Sequence, residues 1–233
     1  MKEGPRFLNK ERLEEKAEGW EKSAHDQEKK HALYTVTRLD QDIAPIHGIS
    51  FIKEVIPDLI SKKKNGEKVK ILDLGAGAAF FTDEIRKKFG DKVEVFSTGL
   101  RKRKAKDFRA MYLPEEDRQL HPNDLKWRSV LQLSDFEEFD LIVDTFGELN
   151  YTTEPIEYNS SMAEARITEY LTAVIKKLKP GGLASIAPFG AFSFPLRKDV
   201  GPLFSVLEKE LGVKITIPDK DIKAVKIEKP INP

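Results

Sequence analysis

Cysteine is absent from all 233 residues of the chain. That absence excludes a disulfide framework, a thiolate nucleophile and any zinc site built on cysteine. Histidine is sparse as well: His25, His31, His47 and His121 are scattered, with no H-E-x-x-H or similar ligand spacing. No apolar stretch reaches the length of a membrane span. The opening M-K-E-G-P-R-F-L-N-K-E-R lacks the apolar run of a signal peptide. Charge of one sign is lacking too, since 40 Lys and Arg against 39 Asp and Glu leave a formal net charge of +1. No global field therefore argues for a nucleic-acid or membrane partner. The expectation is a cytoplasmic protein, long enough for one α/β domain with an added segment.

What is present is organised around Val69 to Phe81, V-K-I-L-D-L-G-A-G-A-A-F-F. Val69, Ile71 and Leu72 are strand formers, and the run ends in Asp73-Leu74 and the small residues Gly75, Ala76, Gly77, Ala78 and Ala79. A helical pattern, F-F-T-D-E-I-R-K-K-F, follows at once and stops at Gly90. Strand, glycine turn and helix together let backbone N–H groups approach a ligand closely. Val93-Glu94-Val95-Phe96 then closes a βαβ unit. A dinucleotide fingerprint would need a third glycine where Phe80 stands, which disfavours a nicotinamide-dependent oxidoreductase.

Later segments extend the pattern. Phe51 to Lys64 reads as an amphipathic helix, with Pro57 predicting a kink or restart; upstream, Pro45 and Gly48 break any long element between Tyr34 and Ile49. His121 to Leu133 should hold a third strand between Asp124 and Val130. Phe139-Asp140-Leu141-Ile142-Val143-Asp144-Thr145-Phe146-Gly147-Glu148 reads as a buried central strand ending in polar and small residues. Ser161 to Lys179 carries a helical stripe stopped by L-K-P-G-G, and L-A-S-I-A-P-F follows as a strand. A helix at about Leu203 to Leu211 precedes two short alternating runs, V-K-I-T-I-P and A-V-K-I-E.

Asp73-x-Gly75-x-Gly77, F-D-L-I-V-D and L-K-P-G-G, in that order, resemble the motifs of the class I S-adenosylmethionine-dependent methyltransferases. The resemblance covers roughly residues 69 to 230. It implies a doubly wound, seven-stranded, mostly parallel sheet with helices on both faces, and an antiparallel pair formed by the last two runs. Residues 66–233 would be the methyltransferase domain, and residues 1–65 an amino-terminal helical extension or lid. The implied cofactor is S-adenosylmethionine, with S-adenosylhomocysteine as product. In that family the acidic residue, here Asp73, orients the cofactor's amino group, and the loop, here Gly75, Ala76 and Gly77, wraps its methionine end. Ala79 stands where the family usually has a third glycine.

In that family an acidic residue normally ends the second strand and binds the ribose hydroxyls; Ser97, Thr98 and Gly99 take its place here. Either the diol finds another acceptor, or affinity is reduced, or the reaction has been lost. Trp127, Arg128 and Ser129 are the candidates for the adenine, with Asp144, Thr145 and Phe146 on the same edge. Asp144, Glu148 and His47 are the groups to test for a catalytic role. D-T-F-G is not the D/N-P-P-Y motif of enzymes that methylate exocyclic amines of bases or glutamine. The acceptor is expected to be a small molecule or protein rather than nucleic acid. A second reading is a catalytically degenerate binding module. Its contacts would be the charged helix around Trp20 and the basic cluster Arg101, Lys102, Arg103, Lys104 and Lys106, which are otherwise a helix laid on the domain and a solvated face.

Overall fold

A computed structural model describes residues 39–64, 66–98, 106, 109–110, 113–124, 130, 133, 138–145, 147, 149, 160–187, 200–216 and 224–231. Six strands form one sheet: β1 Val69–Leu74, β2 Val93–Ser97, β3 Phe139–Thr145, β4 Leu178–Ala187, β5 Lys214–Thr216 and β6 Val225–Glu228. Their spatial order is β2-β1-β3-β4-β6-β5. The first three pairings across the sheet are parallel, and β6 runs antiparallel to both β4 and β5. The chain thus goes outward from β1 to β2 and returns on the other side of β1 as β3, which puts a topological switch point between β1 and β3.

Six strands lie among the described residues, where seven were expected for the chain. The place expected for the additional strand, between Asp124 and Val130, falls largely on residues outside those described. Just before it, the Asn123 carbonyl accepts from the Ser97 N–H at 3.3 Å, so the chain there runs along the outer edge of β2. The antiparallel pair of β5 and β6 is present as expected.

Each sheet face buries its own apolar cluster. On one face, α1 (Asp40–His47), α2 (Ile56–Ser61) and α3 (Phe80–Phe89) cover Val69, Ile71, Val95, Leu141 and Val143. On the other, α4 (Ser160–Lys176) and α5 (Val200–Leu211) cover Leu72, Leu74, Phe96, Ile142 and Ile186. Residues alternate between these faces along β1 and β3, as the two-residue period of a strand requires. β3 is buried at all seven positions, as a central parallel strand must be.

Three local features differ from simple expectation. Pro45 and Gly48 leave room for an eight-residue helix, α1, which ends at Gly48 in the left-handed region at φ 64°. Phe51–Val55 is a π turn and α2 begins only at Ile56. Pro57 has no N–H for a regular helical bond, and the Ile56 N–H reaches back five residues to Phe51 O. The Asp40 carboxylate caps this segment, accepting from Phe51 N at 2.8 Å, Ile52 N at 3.2 Å and Ser50 Oγ at 2.5 Å. Third, α4 stops at Lys176 and β4 starts inside the L-K-P-G-G stretch: Leu178 pairs with Phe139 and Leu183 already with Leu141, so the turn is a bulge in the strand.

Candidate functional site

The carboxyl ends of β1, β2 and β3 lie level, with Asp73 paired to Ser97 and Leu74 to Asp144. The glycine loop crosses this edge. Ala79 N donates to Ala76 O at 2.9 Å, closing a turn with Gly77 at its first central position at φ 58°. Gly75 is left-handed at φ 67°, and Ala79 at φ 62° is the only non-glycine residue with positive φ among those described. Ala79 also caps α3, whose Asp83 N–H donates to Ala79 O at 3.0 Å. The Gly77 and Ala78 N–H groups donate to no protein atom among the described residues. Together with the amino end of α3 they form a set of backbone donors suited to an anionic group.

Thr98 fastens the loop to β2. Its N–H donates to Asp73 O at 2.9 Å, its carbonyl accepts from Ala76 N at 2.8 Å, and its hydroxyl accepts from Gly75 N at 2.9 Å. Ser97 is equally engaged, its hydroxyl donating to Asp124 Oδ1 at 3.1 Å. Both residues are buried. Asp73 is buried beside them and accepts from Thr82 Oγ1 at 3.2 Å.

On the β3 side, Asp144, one residue before the end of the strand, is 1% exposed. Its carboxylate accepts from Gly147 N at 2.8 Å, Leu149 N at 3.1 Å and the Tyr170 hydroxyl at 2.5 Å. Gly147 touches the glycine loop: a Cβ there would collide with the Leu74 carbonyl oxygen and Asp144 Oδ1, and would stand 3.1 Å from Gly75 Cα. Next to Asp144, Thr145 Oγ1 lies 2.8 Å from His47 Nε2, and the other ring nitrogen, Nδ1, lies 2.7 Å from Ser185 Oγ. His47 is fully buried between β3 and β4, with Phe51 edge-on at 5.0 Å.

The expected residues Asp73, Gly75, Ala76, Gly77, Ser97, Thr98, Asp144 and Thr145 therefore share one sheet edge, and His47 lies against it. Gly99, Trp127, Arg128, Ser129, Phe146 and Glu148 lie outside the described residues, as do Trp20 and Arg101 to Lys104. Lys106 is exposed.

No protein-family model and no curated protein matches the sequence. Solved structures do share its fold. A crystal structure of a Corynebacterium glutamicum protein matches with a TM-score of 0.51 at 12% identity, over 91% of this chain and 91% of that one. Magnesium protoporphyrin IX methyltransferase from Synechocystis PCC 6803, solved with bound SAM, matches at 0.45 and 13% identity, over 97% and 100% of the two chains. The N-methyltransferase NodS from Bradyrhizobium japonicum matches at 0.42 and 18% identity, over 77% and 97%. The likeness to the Corynebacterium glutamicum protein is one of fold.

Sequence reasoning missed Arg109. It is 2% exposed, the largest fully buried side chain of the described set, and all five guanidinium donors are used. Nη1 reaches Ala78 O at 3.0 Å and the Asp83 carboxylate at 2.6 Å. Nη2 reaches Asp117 O at 2.5 Å and Gln119 O at 3.1 Å, and Nε reaches Arg118 O at 3.0 Å. Nearby, Arg86 grips Asp124 through both guanidinium nitrogens, at 2.7 and 3.1 Å, and donates to Val95 O at 2.7 Å. Burial holds the Asp83 carboxyl above its ordinary value; Arg109 and Arg86 pull it down and Asp124 pushes it up. No signal short of the tertiary contacts marks Arg109 among 40 basic residues.

Proposed function

We propose that the protein is an S-adenosylmethionine-dependent methyltransferase. The observation that carries the reading is the glycine loop, with Gly75 and Gly77 left-handed and the Gly77 and Ala78 N–H groups left for a ligand, beside the switch point between β1 and β3. The residues present fit the methionine end of the cofactor. Gly75 and Gly77 admit close approach, the loop donors suit the carboxylate, and by resemblance Asp73 faces the amino group. They do not fit the usual ribose contact, because the Ser97 and Thr98 hydroxyls are buried and bonded within the protein.

When bound, S-adenosylmethionine supplies a methyl group on a sulfonium, so the protein has only to align a nucleophile in line with it and exclude water. A base is required only for an acceptor that rests protonated. Asp144 and His47 act here as positioning residues: Asp144 fixes the turn carrying Gly147 against the loop, and His47 fixes Thr145. The acceptor is a small molecule or protein, in keeping with the near-neutral charge.

The missing ribose acceptor favours a second reading, a binding module that keeps the fold without the reaction. Thermal unfolding with S-adenosylhomocysteine, S-adenosylmethionine and NAD at equal concentration separates the possibilities. A midpoint raised by the first two and not by NAD supports the enzyme reading. A midpoint moved by none of them supports the binding module.

A further inference from the structure

Resting on the methyltransferase reading, we propose that Arg109 is a positioning residue of the cofactor site, setting the direction of the loop's backbone donors. A buried guanidinium must satisfy five donors, and this one does so on three separate pieces of chain: the glycine loop at Ala78 O, α3 at Asp83, and the carbonyls of residues 117, 118 and 119. The bond to Ala78 O fixes the plane of the peptide that joins Ala78 to Ala79. Its other side, the Ala79 N–H, is held by Ala76 O. With that peptide fixed at one end and Thr98 holding Gly75 and Ala76 at the other, the span between has little freedom, and the Gly77 and Ala78 N–H groups keep one orientation. Phe80, which opens α3, lies 5.9 Å beneath the same guanidinium and completes its enclosure.

The fork cannot be replaced by lysine. An ammonium is a single point with three donors and cannot reach five acceptors that diverge around a plane. The clasp is therefore specific to arginine. Its effect on a ligand is indirect, through the loop, because its own donors are already used.

The test is titration calorimetry of the full chain with S-adenosylhomocysteine, comparing wild type, Arg109→Lys and Asp140→Asn. Asp140 holds Lys63 and Lys179 at the opposite end of β3 and serves as a control for general destabilisation. Expected is an affinity about tenfold weaker for Arg109→Lys, since binding must then order the loop, and an unchanged affinity for folded Asp140→Asn. Equal affinity of wild type and Arg109→Lys overturns the proposal and leaves the functional reading intact. No binding by the wild type overturns both. If Arg109→Lys does not fold, the wild type alone decides. In its 1H–15N spectrum the Arg109 Nε–H resonance should shift with the Gly77 and Ala78 amides as ligand is added. Loop amides that shift while the Arg109 Nε stays fixed overturn the proposal.

Discussion

The Tyr170 hydroxyl, on α4, donates to Asp144 Oδ2 near the end of β3 across 2.5 Å of buried space. This bond ties the helix on one sheet face to the turn that presses on the glycine loop. Removing the carboxylate takes this acceptor from three donors, those of Gly147, Leu149 and Tyr170. Asp144→Ala should therefore cost about 3–5 kcal/mol, at about 1–3 kcal/mol for each buried donor left short of its acceptor, and Tyr170→Phe about 1–2 kcal/mol. Urea unfolding of both variants checks this. A loss below about 1 kcal/mol for Asp144→Ala would mean the carboxylate is not what holds the turn.

His47 joins α1 to two strands through Thr145 and Ser185. Being fully buried, it serves as a strut. His47→Ala should cost about 3 kcal/mol, from a cavity plus two hydroxyls left without their partner. The folded fraction should still bind S-adenosylhomocysteine within a few-fold of wild type. A stable variant that no longer binds would instead place His47 in the ligand's own contacts.

Ala79 bears a left-handed φ of 62° in a fully buried position. A Cβ in that region costs about 1–2 kcal/mol, partly offset by the greater chain entropy of an unfolded glycine. Ala79→Gly should accordingly raise stability by about 0.5–1 kcal/mol. A lower urea midpoint for the variant would show that the Ala79 methyl contributes more by packing than it costs in strain.

Asp83 makes stability depend on pH in a definite direction. Its folded carboxyl holds its proton to a higher pH than in the unfolded chain, because burial outweighs the pull of Arg109. Between the ordinary value and the raised one the folded state binds more protons, so stability falls as pH rises through that window. It then stays at the lower level. Asp83→Asn removes this step, and the difference between the two urea-unfolding profiles isolates it. A wild type that gains stability relative to Asp83→Asn over the same window would contradict the assignment.

Much of the fold is local and was therefore legible. The apolar runs of β1, β2 and β3, the helical stripe of α4 and the alternation of β5 and β6 each announce an element within its own residues. The glycine loop was legible for the same reason, since Gly75 and Gly77 stand where positive φ is required. What escaped depends on contacts distant in sequence. Ser97 and Thr98 read as hydroxyls open to a ribose, yet the Asp124 carboxylate and the Gly75 N–H take them up inside the protein. The π turn at Phe51 depends on Asp40, eleven residues earlier, as well as on Pro57. Arg109 meets Ala78 across 31 residues of chain, and no periodicity encodes that meeting.

The proposed function requires the glycine loop to bind the cofactor. Titration calorimetry with S-adenosylmethionine and S-adenosylhomocysteine, wild type beside Gly77→Arg, tests it most directly. Gly77 sits at φ 58° in the turn, so an arginine there is both strained and lodged among the loop donors. Micromolar binding by the wild type and none by Gly77→Arg are expected, with the same circular dichroism for both. A wild type that binds neither ligand at millimolar concentration, or a folded Gly77→Arg that binds as tightly as wild type, would contradict it.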